Sequence, residues 1–296
     1  MTDPVTRVLP MEDWAQCLDE AVRVARRAGQ VVACAVQQEK CVRSKSTPTD
    51  LVTEADQQVE ELIISTLRSR FPEHRFIGEE SSAAGVKCEL TDSPTWIIDP
   101  IDGTCNFVHS FPMVAVSIGF AVRKELEFGV IYHCFDETLY TARKGHGAFR
   151  NGVRLQVSKE KDVSKSLVLT EIGAKRDSAT LDIFLGNMKK MLSAPTHGVR
   201  IIGSSTLALC LVASGSAEAY YQFGLHCWDI AAATVIIREA GGVVMDTTGN
   251  TLDLMSRRVV AAGTREIADY VVKQLQPINY GRDDSDPDNL ALTSDP

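Results

Sequence analysis

The run Trp96-Ile97-Ile98-Asp99-Pro100-Ile101-Asp102-Gly103-Thr104, an apolar stretch that ends abruptly in two acids, narrows what this chain can become. Its apolar part reads as a buried strand, which requires a sheet covered on both faces. Asp99 and Asp102 then arrive at a sheet edge. Buried carboxylates there cost on the order of several kcal/mol per ion unless a cation or hydrogen bonds compensate. Pro100 fixes the turn between them, and Gly103 lets the backbone approach a ligand closely. The donors on offer are oxygens, which suits a hard cation such as magnesium, whereas zinc would normally recruit His or Cys. Gly103 and Thr104 also open a turn whose free N–H groups can receive a phosphate.

Two further acidic positions fall at ends of regular elements and could complete a cation site: Glu79-Glu80 after Phe76-Ile77-Gly78, and Asp229 after Cys227-Trp228. Taken alone, Asp229 reads more readily as a helix cap. Other chemistries lack their residues. Gly145-His146-Gly147 has Arg150 where a dinucleotide loop needs its third glycine, and there is no Walker A lysine motif or G-x-S-x-G elbow. Asp284-Ser285-Asp286 lacks a preceding apolar strand and reads as solvated, while His226 and Cys227 read as packing beside Trp228.

Trp14, Leu18, Ala21, Val22, Ala25 and Val32 recur at helical spacing and predict a helix over about 11–37. Thr53 and Asp56 open a second helix, whose stripe Val59, Leu62, Ile63 and Leu67 must stop near Phe71-Pro72. From Val114 to Val157 the pattern is an antiparallel meander with a hairpin at Asn151-Gly152. After Ser166 strands and helices alternate, which calls for two sheets with helices between and outside them. A chain of 296 residues, 44% hydrophobic, can bury a full core, so residues 11–280 read as one globular unit. Residues 1–10 read as a flexible N-terminus, and the last sixteen, with one Arg and five Asp, as an acidic disordered tail over 281–296. The balance of 31 basic against 39 acidic residues, without a basic cluster, argues against a nucleic-acid partner. Eight scattered cysteines read as reduced thiols, and the longest apolar-rich run, Met113 to Val122, is too short to span a bilayer. A cytoplasmic protein with no membrane partner is the expectation.

Gly78-Glu79-Glu80, Asp99-Pro100-Ile101-Asp102-Gly103-Thr104, and Trp228-Asp229-Ile230-Ala231-Ala232-Ala233 leading to Glu239-Ala240-Gly241-Gly242 together resemble the inositol monophosphatases, within the lithium-sensitive magnesium phosphatase superfamily. The likeness runs from about residue 14 to 284. It implies an α/β (α+β layered) fold, the αβαβα five-layer sandwich of the inositol monophosphatase / fructose-1,6-bisphosphatase type, usually a homodimer. It also implies magnesium-dependent hydrolysis of inositol monophosphates, such as myo-inositol 1-phosphate, by an activated water without a phosphoenzyme. Two or three Mg2+ per site and inhibition by Li+ belong to the same expectation.

By position, Glu79, Asp99, the Ile101 carbonyl, Asp102 and Asp229 would ligate metal, with Asp99 bridging two ions. Glu79, Thr104 and Asp56 would orient the attacking water, and Lys45 would lie in a mobile loop near the site. Substrate contacts would come from Glu79, Ile101, Asp102, Gly103, Thr104, Gly203, Ser204, Ser205, Gln222 and Asp229. Ser205 and Gln222 stand where a better-known isozyme of the family has Ala and Glu, which bears on substrate preference. The alternatives are a sister phosphatase acting on sugar phosphates or nucleotide 3′-phosphates, and a catalytically weak metal-binding interaction protein.

Overall fold

The computed structural model describes residues 14–285 apart from 37, 39 and 46. The flexible N-terminus expected at 1–10 and the tail beyond 285 lie outside those residues. Helix α1 (Ala15–Val36) buries the stripe Ala21, Val24, Ala25, Ala28 and Val32. A short antiparallel hairpin follows, β1 (Val42–Ser44) with β2 (Leu51–Thr53). Sequence periodicity gave no hint of it, because each strand has only 3 residues and β1 is exposed throughout. Thr53 caps α2 (Glu54–Arg70), its N–H donating to Asp56 Oδ2 at 2.8 Å. The helix stops at Phe71, before Pro72, as the sequence requires.

Next come β3 (Arg75–Gly78), α3 (Glu79–Ala83), β4 (Thr95–Asp102), α4 (Thr104–Val108), β5 (Ala115–Val122), β6 (Glu125–His133), β7 (Thr138–Arg143), β8 (Gly147–Arg150) and β9 (Val153–Arg154). The seven strands β3 to β9 form one sheet in chain order, with β3 and β4 parallel and the rest antiparallel. Asn151 and Gly152 turn β8 into β9 with φ of 48° and 80°, the left-handed pair that this tight hairpin demands. All 8 residues of β4 are buried, so its apolar run shows no alternation. Trp96 and Ile98 face α1 and α2 together with Phe120, Phe128 and Val130.

The second half contributes β10 (Leu167–Thr170), α5 (Ser178–Ser193), β11 (Gly198–Arg200), α6 (Ser205–Ala213), β12 (Ala219–Phe223), α7 (Cys227–Glu239), β13 (Val243–Met245), β14 (Arg258–Ala262) and α8 (Arg265–Gln274). Its five-stranded sheet has the order β11-β10-β12-β14-β13. Leu169, Tyr220, Val259 and Ala261 face α6 and α7, while Val168, Tyr221, Val260 and Ala262 face α5 and α8. The layers therefore run α1 and α2, seven-stranded sheet, α6 and α7, five-stranded sheet, α5 and α8: the five-layer αβαβα sandwich. All eight cysteines are unpaired. Among the described residues no helix is long and apolar enough to cross a membrane.

Helix α7 seats deep between the sheets because two strands offer it no side chain. A Cβ on Gly129 would come 2.2 Å from the Ala232 carbonyl oxygen, and one on Gly119 would come 2.8 Å from the Ala231 Cβ. Gly129→Ala must push α7 off the sheet, and overpacking of this kind costs about 1–3 kcal/mol. Urea denaturation should register that loss, and an unchanged midpoint would show that the contact is loose.

Candidate active site

Two separate elements deliver acids to one place. Asp99 and Asp102 come from the end of β4 and Asp229 from the first turn of α7, and their nearest oxygens lie within 4.8 Å of one another. The β4–β5 register shifts between Asp99 and Asp102, which lets both acids leave the ladder. Within this bend the Ile101 N–H donates to Asp99 Oδ1 at 3.1 Å. Gly103 then takes φ 91°, where a Cβ would lie 2.8 Å from the Met113 carbonyl oxygen and 3.1 Å from that of Gly203. A side chain at 103 would therefore push the turn at 203 away, and one at 203 would strike the Asn106 amide at 2.6 Å.

Asp99 and Asp102 are almost completely buried, at 1% and 6% exposure. Burial first, then the charges of Glu79, Asp102 and Asp229, hold the Asp99 carboxyl well above the usual range. Burial and the charges of Asp102 and Glu79 push Asp229 up to about 7, against the pull of His226. Asp102 is raised by burial despite its hydrogen bonds from Ser204 and Thr206. Like charges this close, offered as oxygens alone, fit a hard divalent cation such as magnesium.

Glu79 opens α3 beside this trio, and Lys45 reaches it from the β1–β2 connection. Lys45 Nζ donates to Glu79 Oε1 at 2.7 Å and to Glu80 Oε1 at 2.6 Å. Burial alone would lower the Lys45 pKa, but the two carboxylates outweigh it and raise it. Glu80 rises to about 7 through burial and the Glu79 charge, with Lys45 opposing. Behind them sits Glu60, a residue that reads in the sequence as an ordinary polar position on α2. Its carboxylate accepts the Glu80 and Ser81 N–H groups at 2.7 and 2.8 Å, and a Cβ on Gly78 would strike it at 2.6 Å.

Thr104 and Asp56 meet as the sequence reading requires. Thr104 Oγ1 lies 3.1 Å from Asp56 Oδ1 and 3.1 Å from the Ile101 carbonyl oxygen. The far oxygen of Asp56 is occupied by the Thr53 N–H and hydroxyl, at 2.8 and 2.6 Å. Burial raises the Asp56 pKa, and the Thr53 bonds oppose that.

The remaining substrate candidates cluster at the start of α6. Asp102 receives the Ser204 and Thr206 hydroxyls, the Thr206 N–H at 2.9 Å and the Ser205 N–H at 3.2 Å. The Ser204 hydroxyl therefore faces Asp102. Ser205 Oγ donates to Gln222 Oε1 at 2.8 Å, and the Tyr220 hydroxyl donates to the same oxygen. Gly203 has φ 76°, and Asn106 Nδ2 bonds the carbonyls of Met113 and Ile202 at 2.8 Å each, tying the two glycine turns together.

Glu171, absent from the sequence-based set, accepts the N–H groups of Ile202 and Gly203 on Oε1 at 2.9 and 3.0 Å. Burial raises it to about 7 against those two bonds. The run Leu167-Val168-Leu169-Thr170-Glu171, again apolar residues ending in an acid, was the available signal.

His226 stacks on Trp228 with ring centroids 4.5 Å apart, as the sequence suggests. The Cys227 sulfur has a neighbour that sequence spacing hid, Cys88 Sγ at 3.8 Å. Residues 281–285, placed in the tail by their charge, differ from that reading. The Asp283 N–H donates to the Met255 carbonyl at 3.0 Å, and its side chain is only 2% exposed, with its carboxylate 2.6 Å from His226 Nδ1.

The chain matches the inositol monophosphatase family model over residues 13–280. It is similar to human inositol monophosphatase 2, 69% identical over 92% of this chain and 94% of that protein. It is also similar to human inositol monophosphatase 1, 55% identical over 93% of this chain and 99% of that protein. Among solved structures, the Thermotoga maritima IMPase superposes with a TM-score of 0.78 at 30% identity, covering 88% of this chain and 96% of that one.

Glu171→Gln keeps an oxygen for both N–H groups and removes the ionisation. An acid raised by burial leaves the folded state holding the extra proton, so its contribution to stability falls as pH climbs from 4.5 through about 7. The melting temperature of Glu171→Gln relative to the unchanged protein should rise across that interval and level off above it. A difference that stays flat with pH would show that Glu171 titrates like an exposed acid.

Proposed function

The chain belongs to the inositol monophosphatase family, and from that premise we propose that it hydrolyses inositol monophosphates, such as myo-inositol 1-phosphate, to inositol and phosphate. The observation that carries the reading is the buried trio Asp99, Asp102 and Asp229, with oxygens within 4.8 Å, beside the Thr104–Asp56 pair. Magnesium held there supplies Lewis acidity toward water and phosphoryl oxygens, and positive charge against which an alkoxide can leave. The proposed holders are Glu79, Asp99, the Ile101 carbonyl, Asp102 and Asp229. Family membership supports two or three Mg2+ per site and Li+ as an inhibitor.

The chain's own residues divide the remaining work. The Thr104 hydroxyl donates a hydrogen bond to Asp56, which leaves a lone pair on Oγ1 to accept a hydrogen bond from the attacking water. Glu79 accepts the other proton of that water and so points its oxygen at phosphorus. Asp56 is itself fixed by Thr53, so the pair does not reorganise during attack. The nucleophile is water, and no phosphoenzyme forms. Gly103 and Thr104 offer backbone N–H groups to the phosphoryl oxygens at the start of α4. Gly203, Ser205, Gln222 and Asp229 meet the inositol hydroxyls, and Ser204 acts by holding Asp102. With Gln222 Oε1 already accepting from Ser205 and Tyr220, its amide N–H groups are what it presents to substrate.

A cytoplasmic homodimer, built from a single phosphatase domain over about 11–280 with no nucleic-acid or membrane partner, completes the proposal. The continuous five-layer packing and the shared family support it.

Asp99→Asn should lower phosphate release from myo-inositol 1-phosphate by more than about 100-fold, the upper end of what losing a supporting group costs a metal site. Its circular dichroism should stay unchanged, and full turnover by the folded variant would refute the scheme. Gln222→Glu replaces donors with acceptors, so it should reorder a panel of inositol, sugar and nucleotide phosphates more than it slows the fastest of them. An unaltered ranking would mean that Gln222 does not read the hydroxyls.

A further inference from the structure

The segment after α8 crosses the loop that leads into α7. Tyr280 covers Gly224, where a Cβ would come within 2.5 Å of the ring. Arg257 ties this crossing together: Nη1 bonds the Tyr280 carbonyl at 3.1 Å, Nη2 the Gly224 carbonyl at 3.2 Å, and Nε the Leu225 carbonyl at 3.2 Å. Asp283 is thereby brought to the head of α7. Its Oδ2 accepts the Cys227 N–H at 2.7 Å, across 56 residues of sequence. Oδ1 lies 2.6 Å from His226 Nδ1.

The protonation of that histidine follows from its other nitrogen. Arg257 Nη2 is 3.0 Å from His226 Nε2, and a guanidinium can only donate. Nε2 is therefore the acceptor, and Nδ1 carries the proton that it donates to Asp283. Arg257 Nε, 3.6 Å from Asp283 Oδ1, opposes the carboxylate's charge.

The first N–H groups of a helix need partners from outside it, and an anion is favoured there. His226, at the N-cap, has no side-chain oxygen to offer. Asp283 takes that part from a distant segment. The His226 N–H, held in the same turn, donates to Asp229 Oδ2 at 2.6 Å.

We propose that Asp283 is a positioning residue for the metal site: by capping α7 and fixing the His226 ring, it holds the backbone N–H that orients the Asp229 carboxylate. The proposal rests on the reading of Asp229 as a metal ligand. Magnesium tolerates little departure from its preferred ligand geometry, so a carboxylate free to rotate binds it more weakly. The acid run after α8 thus lends, at this one residue, support to the metal site.

Manganese binding followed by electron paramagnetic resonance, without substrate, reads the effect directly. Asp283→Ala should weaken Mn2+ binding by about 10-fold to 100-fold, as loss of other ligand-supporting groups does. The magnesium concentration for half-maximal phosphate release should rise in parallel. Asp283→Asn keeps an acceptor for the Cys227 N–H and should fall between the two. If Asp283→Ala does not fold, that variant decides the matter.

In an Asp229→Asn background, Asp283→Ala should cause no further loss, because the two act through one carboxylate. Unchanged Mn2+ affinity in a folded Asp283 variant, or additive losses in the double variant, would overturn the proposal. Asp229→Asn alone binding Mn2+ as well as the unchanged protein would instead overturn the ligand assignment on which it stands, so the two failures are distinguishable.

Discussion

Repulsion among buried carboxylates is the constraint that the rest of this fold answers to. Asp99, Asp102 and Asp229 would separate if any of the elements carrying them were free to move, since burial raises the pKa of all three and the neighbouring acids raise those of Asp99 and Asp229 further. They are held by backbone groups from three directions: the Ile101 N–H on Asp99, the start of α6 on Asp102, and the His226 N–H on Asp229. The site therefore exists only once β4, α6 and α7 have packed. The glycines at 119 and 129, which let α7 settle onto the sheet, belong to its chemistry as much as to its core.

A second rank of acids serves the same end by different means. Glu60 holds the first turn of α3, Glu171 the turn at Ile202-Gly203, and Asp283 the first turn of α7, each by accepting backbone N–H groups. The loops and helix starts at the site cannot satisfy their own donors through regular structure, as strands and helix interiors do. A carboxylate from elsewhere in the chain does it for them. It is stronger than a neutral acceptor and leaves the loop in one conformation.

How much of this could be read in the sequence follows from how local each signal is. The α1 stripe, the Thr53 and Asp56 cap, the Asn151-Gly152 hairpin and the apolar run into Asp99 are all statements about neighbours in the chain, and each matches the structure. Two sheets with helices between and outside them were legible from the switch between meander and alternation, whereas the αβαβα sandwich by name followed from the family resemblance. What stayed hidden is long-range and polar. Glu60 occupies a helix face among other polar residues, and nothing marks it off from a solvated one. Asp283 sits among five acids and differs from its neighbours only in where Arg257 and Tyr280 carry it. Asp229 was ambiguous between cap and ligand, and its carboxylate in fact accepts the N-cap N–H while facing the other two acids.

The same electrostatic pressure reaches the neighbours of residue 222. The Tyr220 hydroxyl, which donates to Gln222 Oε1, is raised by burial first and then by the charges of Glu171, Asp102 and Asp229. A further acid at 222 would enter a pocket already short of positive charge, and it would have to draw on the Ser205 and Tyr220 hydroxyls to stay ionised. Gln222 lets both hydroxyls donate to an uncharged oxygen and keeps its own N–H groups as donors. A site so built presents donors to an alcohol where a carboxylate would present acceptors, and that difference concerns which polyol fits rather than how phosphorus is attacked. Under the proposed function, reaction type and substrate choice fall to two groups of residues: acids fixed on β4 and α7 for the first, and an amide with its two hydroxyl partners on β12 and α6 for the second.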